Sequence, residues 1–132
     1  RTHVDGWMTA NGVLSRQGGR LHMQWSGNAN VVRVPWVAEG GKFELRLRMR
    51  SPDKTPEFFW ATVDNMLGQG NRMEMEATAN NSWNDVRLSF EVPAENWLCL
   101  MGLDFGSGDG SAEIERASLY RAGKLVRAWE FA

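Results

Sequence analysis

Residues 42–51 read KFELRLRMRS, and the fold reading starts there. Phe43, Leu45, Leu47 and Met49 alternate with Glu44, Arg46, Arg48 and Arg50. Successive side chains of a strand point to opposite faces. One face of this segment is therefore apolar and belongs in a core. The other carries three guanidinium groups, spaced about 7 Å apart by the strand rise. That row needs something to face: water, the acids of a neighbouring strand, or an anionic ligand.

The same alternation recurs on either side. Leu21, Met23 and Trp25 oppose His22 and Gln24, and Val32, Val34 and Trp36 oppose Arg33. Met73, Met75, Ala77 and Ala79 oppose Arg72, Glu74, Glu76 and Thr78. Val86, Leu88, Phe90 and Val92 oppose Arg87, Ser89 and Glu91. In residues 57–65, Phe59, Ala61 and Val63 make a better core face than Phe58, Trp60, Thr62 and Asp64. Turn signals such as Asn11-Gly12, Gly18-Gly19, Gly40-Gly41 and the run from Gly106 to Gly110 separate these segments. Short alternating strands at regular spacing predict an all-β fold, a two-sheet antiparallel β-sandwich. Residues 72–79 are rich in helix formers, yet their apolar period is two, and residues 111–125 are also read as strand.

A chain of 132 residues is one domain, large enough for a real core. We find no repeat, low-complexity tract or linker, so residues 1–132 read as a single module. The chain opens on Arg1 without Met, as expected of a processed protein or a module cut from a longer polypeptide. The net charge of −1 argues against a general nucleic-acid binder. No apolar run approaches a membrane span, and no signal-peptide pattern is seen. Cys99, the single cysteine, allows no internal disulfide and no CxxC motif, and its apolar neighbours predict a buried, inert thiol.

Catalytic motifs are absent from the sequence. The two histidines, His3 and His22, fit no metal-ligand spacing, and no GxSxG occurs. Gly123-Lys124 lacks the rest of a phosphate loop, and Asp104, Asp109 and Glu113 lack EF-hand spacing. Acids are plentiful enough for a glycosidase pair, but nothing singles one out.

The distinctive composition is seven Trp against one Tyr. An exposed indole offers a broad, rigid apolar surface to the C–H face of a pyranose ring. Arginine serves hydroxyls and can grip a carboxylate or sulfate with two parallel bonds. Trp25 shares parity with core residues, and Trp7 and Trp129 belong in or beside the core. Trp83 could go either way. Trp36, Trp60 and Trp97 lie at strand ends and loop junctions and are the candidate stacking residues, with Arg33, Arg46 and Arg48 as polar partners. Arg50, at the strand end, is expected to pair with an acid across the sheet. Glu74 and Glu76 could neutralise the arginine row if their strand were its neighbour.

The segments FELRLRMRS, EFFWATVDN, SWNDVRLSFEV and the run from Leu100 to Phe131 occur in an order that resembles a group of bacterial β-jelly-roll domains similar to carbohydrate-binding modules. Those domains stand beside sulfatases and other polysaccharide-active enzymes. The resemblance covers roughly residues 20–131. It implies a two-sheet jelly roll, a non-catalytic role, a carbohydrate ligand and an extracellular or periplasmic location. Modules of this architecture often hold a structural calcium between the N-terminal region and the last strand. By position, Asp5 and Glu130 would serve it here.

The expected function is a non-catalytic carbohydrate-binding module that targets an attached catalytic domain to a polysaccharide. The arginine row favours an acidic polymer, uronate-containing or sulfated. The alternatives are a structural or interaction β-sandwich packing on a catalytic domain, since Trp and Arg are also enriched at protein interfaces, and a small β-sandwich glycoside hydrolase or lyase.

Overall fold

The computed structural model describes residues 2–76 and 80–132. Ala77, Thr78 and Ala79, read above as strand, lie outside the described residues. Ten strands and no helix occur among the described ones: β1 (His3–Val4), β2 (Trp7–Thr9), β3 (Gly12–Gln17), β4 (Arg20–Trp25), β5 (Val31–Ser51), β6 (Glu57–Thr62), β7 (Arg72–Glu74), β8 (Asn80–Asp104), β9 (Gly110–Arg121) and β10 (Lys124–Glu130). All pairings are antiparallel.

Two long strands join two layers. Residues 41–51 of β5 pair with residues 80–92 of β8 on one side and with β9 on the other. Beyond β9 lie β4 and then β3, with β10 flanking the second half of β9. This is the arginine sheet. Residues 31–39 of β5 instead pair with β2 and with residues 97–104 of β8, which in turn pairs with β6, and β6 with β7. The register shifts between Pro35 and Ala38 and between Glu39 and Gly41. Bulges of this kind bend a strand and increase its twist, which lets β5 and β8 pass from one layer to the other. Gly40 sits at that corner because a Cβ there would fall 1.9 Å from the Pro93 carbonyl oxygen.

The apolar faces of the two layers meet in one core. Phe43 stacks on Phe90 at 5.4 Å, and Phe90 meets Phe58 and Trp60 from the other layer at 5.2 and 5.0 Å. At the opposite side Trp7 and Trp36 pack edge-on against Trp129 of β10 at 5.6 and 6.0 Å. Trp25 is buried against Phe105, and its indole N–H donates to Thr9 Oγ1 at 3.2 Å. Aromatic pairs at such separations add to the area they bury. The sandwich expected from the alternation is the fold observed, with the apolar residues of 42–51 inside.

Two local expectations are corrected. Within β6 the inner face is the other one: Phe58 is fully buried and Trp60 packs on the core, while Phe59 is half-buried on the outer side and, of the expected face, Ala61 alone is buried. Phe59 lies across Gly102 of β8, where a Cβ would come within 2.5 Å of its ring. The missing side chain on the partner strand gives Phe59 its place, and the β6 sequence carries no trace of that. Cys99 is half-buried rather than buried, because it falls at the register irregularity where β8 leaves β6.

Candidate functional site

Strand register converts the outer face of the arginine sheet into rows. One row runs Leu125, Tyr120, Glu44, Ser89 across β10, β9, β5 and β8. The next runs Ala128, Ser118, Arg46, Arg87, and the third Glu130, Arg116, Arg48, Asp85. Further along β5, Ser15, His22, Glu113 and Arg50 form a fourth row from β3 to β5. Pleating alone places these side chains on one surface.

The arginine row of the opening segment now has partners. Arg46 Nε donates to Glu44 Oε1 at 3.0 Å, and its guanidinium lies 4.1 Å from the Tyr120 ring centre. The Glu44 carboxylate beside it raises the Arg46 pKa above its usual value. Arg48 reaches Asp85 at 3.1 Å and Glu115 at 3.5 Å. Arg50 Nε donates to Glu113 Oε1 at 2.7 Å, the cross-sheet pairing expected of it. Glu74 and Glu76 take no part: Glu74 is on β7, at the edge of the other layer.

Two like-charge contacts stand out in those rows. Arg46 is directly opposite Arg87, and Arg48 directly opposite Arg116. Cross-strand like charges are destabilising. Glu44, 3.7 Å from Arg87, and Glu115, 3.2 Å from Arg116, relieve them in part. Arg87 remains 70% exposed. These residues border a trough of about 560 Å³, which adjoins a second of about 550 Å³ through the shared Arg46 and Tyr120. The second continues along β5 to Lys42.

The six sequence-predicted ligand residues do not converge. Arg46 and Arg48 share the trough. Arg33 is exposed on the other layer, opposite Met8 and Gly102. Trp36 packs on Trp129, and Trp60 on Phe58 and Phe90. Trp97 is 43% exposed at the corner where β8 changes layer, its carbonyl accepting from the Val63 N–H. Trp83, left open by the sequence, joins the arginine face: the guanidinium carbons of Arg50, Arg20 and Arg48 lie 4.7, 5.7 and 5.8 Å from its ring centre. Tyr120, Arg87 and Arg116 also belong there and were not singled out. Their polar parity was legible, but the face they share depends on pairing between distant segments.

Asp5 and Glu130 do not fit a calcium ion. Both Asp5 oxygens accept from Arg16, and this bonding holds the carboxyl below the usual carboxylate range. Glu130 stands in a row with Arg116. Among the described residues no three His, Cys, Asp or Glu side chains are grouped to hold a metal.

No family model matches the chain, and no curated protein does. Solved structures do match. A variant of a family 29 carbohydrate-binding module aligns with TM-score 0.57 at 13% identity, over 94% of this chain and 87% of its own. The ligand-free carbohydrate-binding module CBM1 of BiXyn10A gives 0.57 at 13% identity over 85% and 82%. A family 35 module from an environmental isolate gives 0.56 at 13% over 89% and 88%. The fold is that of carbohydrate-binding modules. Identity this low carries the architecture and no residue roles.

Proposed function

We propose that this chain is a non-catalytic carbohydrate-binding module whose ligand lies in the trough along β5. The observation that carries the reading is the pair of opposed arginines, Arg46 with Arg87 and Arg48 with Arg116, in an open trough. Strand pairing alone disfavours that arrangement. An anionic polymer would engage the guanidinium donors that Glu44, Asp85 and Glu115 leave free, so the reading extends to a uronate-containing or sulfated polysaccharide. Guanidinium groups bind carboxylate and sulfate in bidentate fashion, while Tyr120 and Ser118 line the same trough and can meet hydroxyls. Among the similar structures, one family 29 variant is described as complexed with cellulohexaose. In function the module would hold an attached polysaccharide-active domain at its polymer, outside the cytoplasm, raising the local substrate concentration.

Affinity electrophoresis against paired neutral and acidic polysaccharides tests this. Retardation by an acidic polymer that fades with added salt, and that is lost in Arg87→Gln/Arg116→Gln, is the expected result. Free migration in every polymer overturns it.

A second reading, an interaction domain, rests on apolar exposure elsewhere. Met66 and Leu67 are 64% and 82% exposed on the turn after β6, and Val37 is 70% exposed. Depolymerisation by the isolated chain would instead point to an enzyme.

A further inference from the structure

We propose that the cluster around Trp83 is the subsite for the anionic group, sulfate or carboxylate, of an acidic saccharide. The assignment rests on the polysaccharide reading above and places the charged group beside one end of the trough.

The cluster has more donors than acceptors. Arg50 and Arg20 share a single carboxylate: Arg50 Nε is 2.7 Å from Glu113 Oε1, and Arg20 Nε is 3.1 Å from Oε2. The Arg20 contact is an ion pair without hydrogen-bond geometry, and its Nε is buried with no hydrogen-bond partner among the described residues. His22 Nδ1 is also buried and unbonded among the described residues, 3.9 Å from the same Oε2. Arg20 and Arg50 have the Glu113 carboxylate between them, whereas Arg48 has Asp85 to itself and shares Glu115 with Arg116, so the positive charge lies at the Arg20–Arg50 end of the cluster. Buried polar atoms without partners are rare and call for an explanation.

Burial orders the cluster from inside to outside. The Glu113 side chain is 12% exposed, against 33% for Arg20 and 26% for Arg50. The acid lies lower in the cluster, and the guanidinium groups are nearer solvent. Arg50, over the Trp83 ring at 4.7 Å, gives its Nε–H and one Nη2–H to Glu113, which leaves about three of the five donors in the guanidinium plane for a ligand. An oxyanion can take two such donors at once. A neutral hydroxyl would satisfy donors but leave the charge. Arg48, shared between Trp83 and the trough, connects the subsite to the rest of the face. From Arg46 to Arg50 the strand advances about 13 Å. A ligand that touches both ends is an oligosaccharide, not a single ring.

The test follows the Trp83 indole N–H and the Arg50 Nε–H by NMR while dextran, dextran sulfate or polygalacturonate is added to the intact chain. Both signals are expected to move with dextran sulfate, polygalacturonate or both, and to stay fixed with dextran. Whichever acidic polymer acts names the anion. Arg20→Gln and Arg50→Gln should each weaken binding of that polymer about tenfold, as loss of a charge-assisted hydrogen bond predicts. Arg20→Gln removes an ion pair but no observed hydrogen bond, and an unchanged urea midpoint separates lost binding from misfolding. Should the acidic polymer move Tyr120 and Arg87 signals while Trp83 and Arg50 stay fixed, the subsite is overturned and the trough reading stands. Equal shifts with dextran overturn the anion assignment. Polymers that move no signal anywhere overturn both.

Discussion

Gly40 passes so close to Pro93 that a Cβ on it would lie 1.9 Å from the proline's carbonyl oxygen and 2.7 Å from its carbonyl carbon. Both are backbone atoms, so no side chain can turn aside. At this corner β5 and β8 leave the arginine sheet together, and the contact ties their bends to each other. Gly40→Ala is expected to destabilise the fold by about 3 kcal/mol or more, at the upper end of overpacking costs. Urea denaturation measures it, and a wild-type midpoint would show that the corner has slack.

Trp60 packs between the layers against Phe58 and Phe90. Trp60→Ala should therefore cost about 3 kcal/mol of stability, the low end for an aromatic truncated to alanine, because the ring is only half-buried. Ligand affinity of the folded fraction should be unchanged. Equilibrium unfolding together with affinity electrophoresis separates the two effects, and intact stability with lost binding would return Trp60 to the ligand site.

Arg87 is expected to show opposite effects on stability and binding. Arg87→Thr removes a like charge opposite Arg46 and installs a good strand former. Thermal stability should hold or rise by a few tenths of a kcal/mol, while affinity for an acidic polymer falls and its salt dependence flattens. A variant that lost stability and kept its affinity would contradict the proposed trough.

Asp64 links stability to pH. Its carboxylate accepts from Asn96, the larger influence, and from Thr62 Oγ1 at 3.0 Å, and both bonds lower its pKa below the ordinary 3.8. A lowered folded-state pKa means that these bonds stabilise the protein above the unfolded value. The contribution is lost as pH falls through the folded value. Asn96→Ala should raise the Asp64 pKa, so that the carboxylate protonates at higher pH during acid titration. Carboxyl carbon NMR reads this directly, and an unmoved titration curve would refute the bond's role. Asp5 should behave the same way in Arg16→Gln, since Arg16 is the largest cause of its lowered pKa.

Much of the sandwich was legible because its signals are local. Period-two alternation in residues 42–51 and 86–92 named the buried residues correctly, since each side chain's face follows from its neighbours along the chain. Residues 57–62 show where that logic fails. Alternation gave the period, but the parity was decided by Gly102 on another strand, some forty residues away. Two tryptophans show the same limit. Trp36 shares the parity of Val32 and Val34, but that it packs on Trp129, and Trp60 on Phe90, depends on segments far away in the chain.

The sequence by itself determined that Arg46, Arg48 and Arg50 share one side of a strand and that Phe43 to Met49 line a core. Covalent geometry enforces both within a few residues. Only the tertiary structure decided what the arginines face. Register across β8 and β9 set Arg87 against Arg46 and Arg116 against Arg48, brought Glu113 beneath Arg50, and placed Trp83 beside Arg48 and Arg50. Register is fixed by packing among segments far apart in the chain. For that reason the arginine row could be read from ten residues, while its site required the whole sandwich.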